Sequence, residues 1–224
     1  QIWDEARLAI NATEMMENGD YIVTHFQGEP DLWNTKPPLM IWVQVLFMNI
    51  FGISDLAFRL PSAFAALLTG LLLMFFSTRY LREPLFGVVA ALSLVTFHGF
   101  VAMHASRTGD YDAMLTLFTT LSTLAFFVFI ESGKNRFLYL FFFGLALAVL
   151  TKSIQGLLFL PAAFLFVLLR RRLILILKNR HLYIALIMFL VLVSGYYLLR
   201  EFQADGYLKA VWENELLGRY NTVL

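Results

Sequence analysis

No cysteine occurs among the 224 residues, which excludes a disulfide framework, a thiol nucleophile and a cysteine-ligated metal site. Charge is scarce as well. Charged side chains make up 15% of the chain, against 59% hydrophobic and 16% aromatic residues, and mean hydropathy is +0.70. That balance excludes an ordinary soluble core and makes the bilayer the expected solvent. Glycine- or serine-rich linkers, low-complexity tracts and short-period repeats are also lacking, so residues 1–224 read as one membrane domain. The chain opens on Gln1 without a signal-like segment. It is expected to be an internal fragment preceded by one further helix.

Long apolar runs are present, over approximately 57–78, 85–103, 113–130, 137–150, 157–170 and 182–199. They predict about six crossings within 57–199, the fourth and fifth being short for a bilayer that needs roughly 18 to 20 residues. The predicted class is therefore all-α, a polytopic transmembrane domain with interfacial helices. Three connections, around Arg79 to Pro84, Glu131 to Arg136 and Arg170 to Arg180, hold nine Lys/Arg against Glu83 and Glu131. The remaining, much longer segments hold eight Lys/Arg against fourteen Asp/Glu. Positive loops stay cytoplasmic, so residues 1–56, the turns near 104–112 and 151–156, and residues 200–224 are expected outside.

The polar groups of interest fall on that outer side. Asp4 and Glu5 open an amphipathic segment that stops at Asn18-Gly19. Asp4 could cap the helix, or it could serve as a general base toward an acceptor hydroxyl. In Lys36-Pro37-Pro38-Leu39 a proline at the first helical position would set the lysine at a helix N-terminus. A cation there is unfavourable unless an anion lies between, and phosphate is the natural candidate; the bland alternative is a lysine reaching lipid headgroups. The following Leu39 to Phe51 run is expected along the membrane surface. Asp110 and Asp112 flank Tyr111 ahead of a helix, as caps or as part of a divalent-metal site. Lys152 ends an apolar helix, where it either complements the dipole or makes a second phosphate contact. Arg219 could add a bidentate clamp. The histidines are not spaced as a metal site.

The ordered series Trp3-Asp4-Glu5-Ala6-Arg7, Lys36-Pro37-Pro38-Leu39, Arg59-Leu60-Pro61-Ser62, Asp112 and Thr151-Lys152 resembles the protein O-mannosyltransferase and aminoarabinose-transferase superfamily across nearly the whole chain. The resemblance implies a GT-C fold and transfer of a sugar from a polyprenyl-phosphate donor to a protein hydroxyl, a lipid or a glycan, usually with inversion. A bacterial cytoplasmic-membrane protein is expected, its site facing outward by the charge count, with membrane lipids, the polyprenyl-phosphate sugar donor and the acceptor as partners and no nucleic acid. The resemblance also implies Asp4 as catalytic base and Asp112 as a residue shaping the site. Lys36 and Lys152 would contact the donor phosphate, Arg219 would lie near it, and Glu5 and Arg7 would support Asp4. No cofactor is required, although a divalent metal is possible. The aminoarabinose-transferase branch carries an acidic residue before the lysine, where Thr35 stands here, and a histidine that the last outer segment lacks. A transporter or flippase of lipid-linked sugars is the rival class, and a non-enzymatic assembly subunit a third.

Overall fold

The computed structural model describes residues 3–101 and 105–217. Helix α1 (Trp3–Asn18) ends where Gly19 takes a positive φ of 71°. This is the stop expected from a residue that adopts the left-handed region without steric cost. A two-residue hairpin follows, β1 (His25–Phe26) pairing antiparallel with β2 (Glu29–Pro30). Its turn residues Gln27 and Gly28 both have positive φ, as a type I′ turn requires. Their N–H groups donate to the Glu14 carboxylate at 2.7 and 3.1 Å, so the hairpin is anchored to α1.

Helix α2 (Leu39–Phe51) begins two residues later than the Lys-Pro-Pro spacing predicts. Pro38 takes the cap position and Trp42 N–H bonds its carbonyl at 2.8 Å, so Lys36 lies in the bend ahead of the helix rather than at its first turn. α3 (Asp55–Phe76) starts at Ser54, whose hydroxyl accepts from Ala57 N–H, and continues through a π-helical turn to Leu81. Then come α4 (Pro84–Thr96), the short α5 (His98–Val101), α6 (Asp112–Ser132) and α7 (Asn135–Lys152). After α7 the chain makes a 3-10 turn over Ser153–Leu157 and forms α8 (Leu160–Leu169), α9 (Leu173–Leu177), α10 (Arg180–Gln203) and α11 (Tyr207–Val211).

Among the described residues, four segments are long and apolar enough to cross a membrane: Asp55–Leu81, Asp112–Ser132, Asn135–Leu157 and Arg180–Gln203. The expected second and fifth crossings are shorter helices, Pro84–Thr96 and Leu160–Leu169. The second run breaks at Phe97, where the backbone turns extended. The fifth is shortened because Gly156 folds the preceding turn back on α7, where a Cβ would sit 2.7 Å from Ala148 C and Val149 N. Only glycine fits that approach.

Two apolar clusters hold the helices. One joins α1, α2, α3 and the start of α6 through Leu8, Met15, Ile41, Phe58 and Met114. The other joins α6, α7, α8 and α10 through Phe126, Leu138, Phe141, Val167 and Ala185. α6 and α7 approach closely at Gly144, whose ideal Cβ would lie 3.3 Å from Ser122 Cβ, and Ser122 Oγ donates to the Phe141 carbonyl at 2.6 Å. Small residues that let backbones approach are how helices pack where lipid removes the hydrophobic drive. α10 leaves Ile187, Met188 and Val191 exposed, which suits a lipid-facing wall. The arrangement brings the starts of α3 and α6, the end of α7 and the end of α10 to one pole, and the opposite ends of α3, α6 and α7 to the other.

Candidate functional site

At the first pole a cavity of about 320 Å³ is lined by Asp4, Arg7, Trp33, Asn34, Lys36, Asp110, Tyr111, Lys152 and Gln155, with Leu8. Asp4, Arg7, Lys36 and Lys152, singled out from sequence, therefore share one space although 148 positions separate the first from the last in a chain numbered as given. Asp4 lies exposed in the first turn of α1, not at a cap position ahead of it. Asp112 opens α6 and is held in an ion pair by the Lys152 ammonium. Asp110 is buried and accepts from Tyr111 N–H at 2.7 Å. Glu5 does not line the cavity. Arg219 lies outside the described residues.

Each wall is fixed by a charge pair. Arg59, from α3, grips Glu5 with two hydrogen bonds of 2.7 and 3.0 Å, and Gly109 N–H donates to the same carboxylate at 2.9 Å. This ties α1, α3 and the loop before α6 into one unit directly behind Asp4. Burial alone would raise the Glu5 carboxyl. Arg59 and the Gly109 N–H outweigh it and hold the group below its ordinary value of 4.5. Arg7 makes the same bidentate grip on buried Asp31, at 2.9 and 2.6 Å, and its guanidinium lies between the rings of Phe26 at 4.1 Å and Trp33 at 4.5 Å. Planar guanidinium suits both contacts, which lysine could not supply. Asn11 and the Asn34 N–H also donate to Asp31. Burial again opposes and these donors prevail, so Asp31 sits below its ordinary 3.8.

The loop that carries Lys36 is held from the far side by Arg200, which is 0% exposed in the last turn of α10. Its guanidinium donates to the carbonyls of Asp31 (2.9 Å), Asn34 (3.0 Å) and Lys36 (3.2 Å), to Thr24 Oγ1 (2.8 Å) and to the Tyr196 hydroxyl (3.2 Å). Tyr207 adds its ring at 4.2 Å from the guanidinium carbon, and its hydroxyl donates to the Thr35 carbonyl at 2.8 Å. Lys36 Nζ lies 3.9 Å from Glu215 and 5.5 Å from the centre of the Tyr111 ring. Tyr111 is buried. Burial pushes its phenol above the ordinary range and leaves it a neutral donor to Asn34. Sequence reading missed Arg200, Asp31, Asn34, Trp33 and the Arg59 partner of Glu5. Arg200 stands one residue past the 182–199 run, where it reads as an arginine that ends a span, and its partners lie too far along the chain to be read from it. Among the described residues no group of three or more His, Asp or Glu side chains could hold a metal ion.

Residues 35–197 match the dolichyl-phosphate-mannose-protein mannosyltransferase family. The putative mannosyltransferase YkcB of Bacillus subtilis is 32% identical over 157 residues, covering 69% of this chain and 21% of that protein. The undecaprenyl phosphate-alpha-4-amino-4-deoxy-L-arabinose arabinosyl transferase of Pseudomonas savastanoi is 32% identical over 129 residues, covering 58% of this chain and 24% of that protein. The chain spans about a fifth to a third of the length of such relatives. The crystal structure of ArnT from Cupriavidus metallidurans bound to undecaprenyl phosphate superposes with a TM-score of 0.73 at 21% identity, over 91% of this chain and 38% of that one. The likeness establishes an all-α polytopic membrane fold of GT-C type.

Two stability predictions follow from the charge pairs. Glu5 and Asp31 have folded pKa values below their unfolded ones, so their stabilisation is complete above about pH 4.5 and is lost as pH falls through the lowered values. Thermal unfolding in detergent should show a falling midpoint below pH 4.5, with a shallower fall in Asp31→Asn. Arg200→Met removes the guanidinium donors to the carbonyls of Asp31, Asn34 and Lys36 and should cost about 3 kcal/mol or more. Arg200→Lys should recover only part of that loss in the same assay, because an ammonium has three donors and no fork.

Proposed function

The chain belongs to the dolichyl-phosphate-mannose-protein mannosyltransferase family, and from that premise we propose that it forms the donor-binding part of a membrane glycosyltransferase that uses a polyprenyl-phosphate sugar. The observation that carries this reading is the cavity in which Lys36, Lys152 and Arg7 face the exposed carboxylate of Asp4 at one end of the membrane helices. A lipid-phosphate donor needs cations at the level of the headgroup and a bilayer for its apolar tail, which would cost about 0.8 kcal/mol per CH₂ to expose.

In the proposed reaction the bond between the anomeric carbon and the phosphate oxygen breaks, and its electron pair leaves with the lipid phosphate. Negative charge grows on that oxygen, where Lys36 and Lys152 would stabilise it. Asp112 holds the Lys152 ammonium in its ion pair and acts as a positioning residue. Asp4 would take the proton of the acceptor hydroxyl as it attacks the anomeric carbon from the opposite face, giving inversion. Glu5, Arg59 and Gly109 set the start of α1 from behind. Arg7 is committed to Asp31, so its part is to fix the wall beside Trp33. A divalent ion would find Asp4 and Asp110 on the cavity wall and would need further oxygens from the substrate phosphate. Relatives named as mannosyl- and aminoarabinosyl transferases support the reaction class; the acceptor class comprises a protein hydroxyl, a lipid or another glycan.

Reconstituted full-length protein supplied with radiolabelled polyprenyl-phosphate sugars should transfer label, and Asp4→Asn or Lys36→Ala should each lower kcat at least about 100-fold. Unchanged rates in both variants would overturn the site. Movement of labelled lipid across vesicles without transfer would replace the reading with that of a transporter. We further propose that the site faces away from the cytoplasm. Residues 1–224 contain no cysteine, so in a protein with any cysteine elsewhere replaced, single substitutions report sidedness: Glu29→Cys should react with a membrane-impermeant maleimide in intact spheroplasts and Lys178→Cys should not. The reverse pattern would invert the orientation.

A further inference from the structure

The opposite pole carries a second charged cavity, of about 390 Å³, within the range of small-molecule sites. It lies where the π-helical end of α3, the end of α6 and the start of α7 meet. α6 has 21 residues, which places this cavity roughly 30 Å from the candidate site at about 1.5 Å per residue, the thickness of a hydrocarbon layer. Arg79, Lys134 and Arg136 line it. Among the described residues no carboxylate comes within ion-pair distance of any of the three. Glu131, also on the wall, is engaged by Arg170 at 2.6 Å. The arginines instead lie against rings, Arg79 at 5.8 Å from Tyr80 and Arg136 at 4.8 Å from Phe137. Tyr80 and Phe137 meet edge to face at 6.1 Å, which gives the cavity an apolar wall.

Three cations gathered around one space repel one another unless an anion joins them. The aromatic wall adds the requirement that the anion carry an apolar body, and the position at the helix ends is where headgroups meet acyl chains. We propose that this cavity binds the phosphate headgroup of an anionic membrane phospholipid, with Arg79 and Arg136 as bidentate donors, Lys134 as a point charge, and Tyr80 and Phe137 against the glycerol and upper chain. The site is separate from the proposed transfer reaction, and its test needs no activity.

Purified protein should be delipidated and offered phosphatidylglycerol or phosphatidylcholine, with bound lipid counted by native mass spectrometry. Wild type should retain phosphatidylglycerol at least about tenfold better. The combined change Arg79→Gln, Lys134→Gln and Arg136→Gln should abolish that preference. Arg171→Gln, Arg172→Gln and Lys178→Gln remove three exposed cations from outside the cavity and should keep the preference within about twofold. Equal loss in both sets would mean diffuse attraction to the basic surface and would overturn the site. Displacement of the lipid by equimolar inorganic phosphate would mean a free-phosphate site and would likewise overturn it. Should the first set fail to fold, Phe137→Trp with all three cations intact gives a direct reading. Its fluorescence should be quenched more by acyl-brominated phosphatidylglycerol than by equally brominated phosphatidylcholine, and equal quenching would sink the proposal.

Discussion

The buried guanidinium of Arg200 is the group on which the pole that holds the candidate site depends. A charged group removed from water is costly unless its donors are met, and here the two terminal nitrogens are met chiefly by one loop, whose carbonyls at Asp31, Asn34 and Lys36 all accept from it. Those carbonyls have no place in a helix or sheet, so they need donors as much as the guanidinium needs acceptors. The mutual requirement fixes the end of α10 against the segment that carries Lys36. Tyr207 closes the gap by donating to the Thr35 carbonyl between them. A flexible loop before a proline pair thus becomes a rigid shelf, and Lys36 extends from it with a defined root.

From that shelf the order spreads through Asp31. Its carbonyl is held by Arg200 while its carboxylate takes both nitrogens of the Arg7 fork, so one residue links α10 to α1. Glu5, two positions from Arg7 on the same helix, performs the corresponding task toward α3 through Arg59 and toward α6 through Gly109. α1 is clamped at two successive points, and Asp4 is left as the exposed carboxylate of that turn. Gln44 reinforces the joint by donating to the Gly109 carbonyl at 2.7 Å. The close approach of Phe58 to Gly109, where a Cβ would lie 2.0 Å from the ring, explains why that junction takes a glycine.

Much of the outline was legible in the chain itself, because hydrophobic run length acts locally and along the sequence. The four crossing-length segments fall on runs visible by eye, and Asp4, Lys36 and Lys152 could be picked out because each interrupts an apolar context beside a helix signal. The partners could not. Arg200 contacts residues 164 to 176 positions away, and nothing local distinguishes it from an arginine that merely ends a span. Asp31, between Pro30 and Leu32, reads as a loop carboxylate until its neighbours close around it. The two shortened helices were hidden for a related reason. Hydropathy continues through Phe97, where the backbone turns extended, and the fold of Gly156 onto α7 is set by a contact that run length does not reveal.

The cations of the candidate site differ in how firmly they are held, and in the proposed reaction that difference bears on which of them an incoming phosphate would engage. Arg7 is locked by two short bonds to a carboxylate with no exposed side-chain surface, so exchanging Asp31 for a phosphate would strand a buried charge, a loss of several kcal/mol. Lys152 is paired with Asp112, whose side chain is 37% exposed; water can compensate that carboxylate when the ammonium turns away. Lys36 Nζ lies 3.9 Å from Glu215, while its root is fixed by Arg200. In the proposed reaction phosphate binding would be an exchange of counterions rather than a gain of bare charge, and it would cost more at Arg7 than at Lys152. That difference favours Lys152 over Arg7 as a donor contact in the proposed reaction and leaves the arginine to hold the wall against which the sugar would lie.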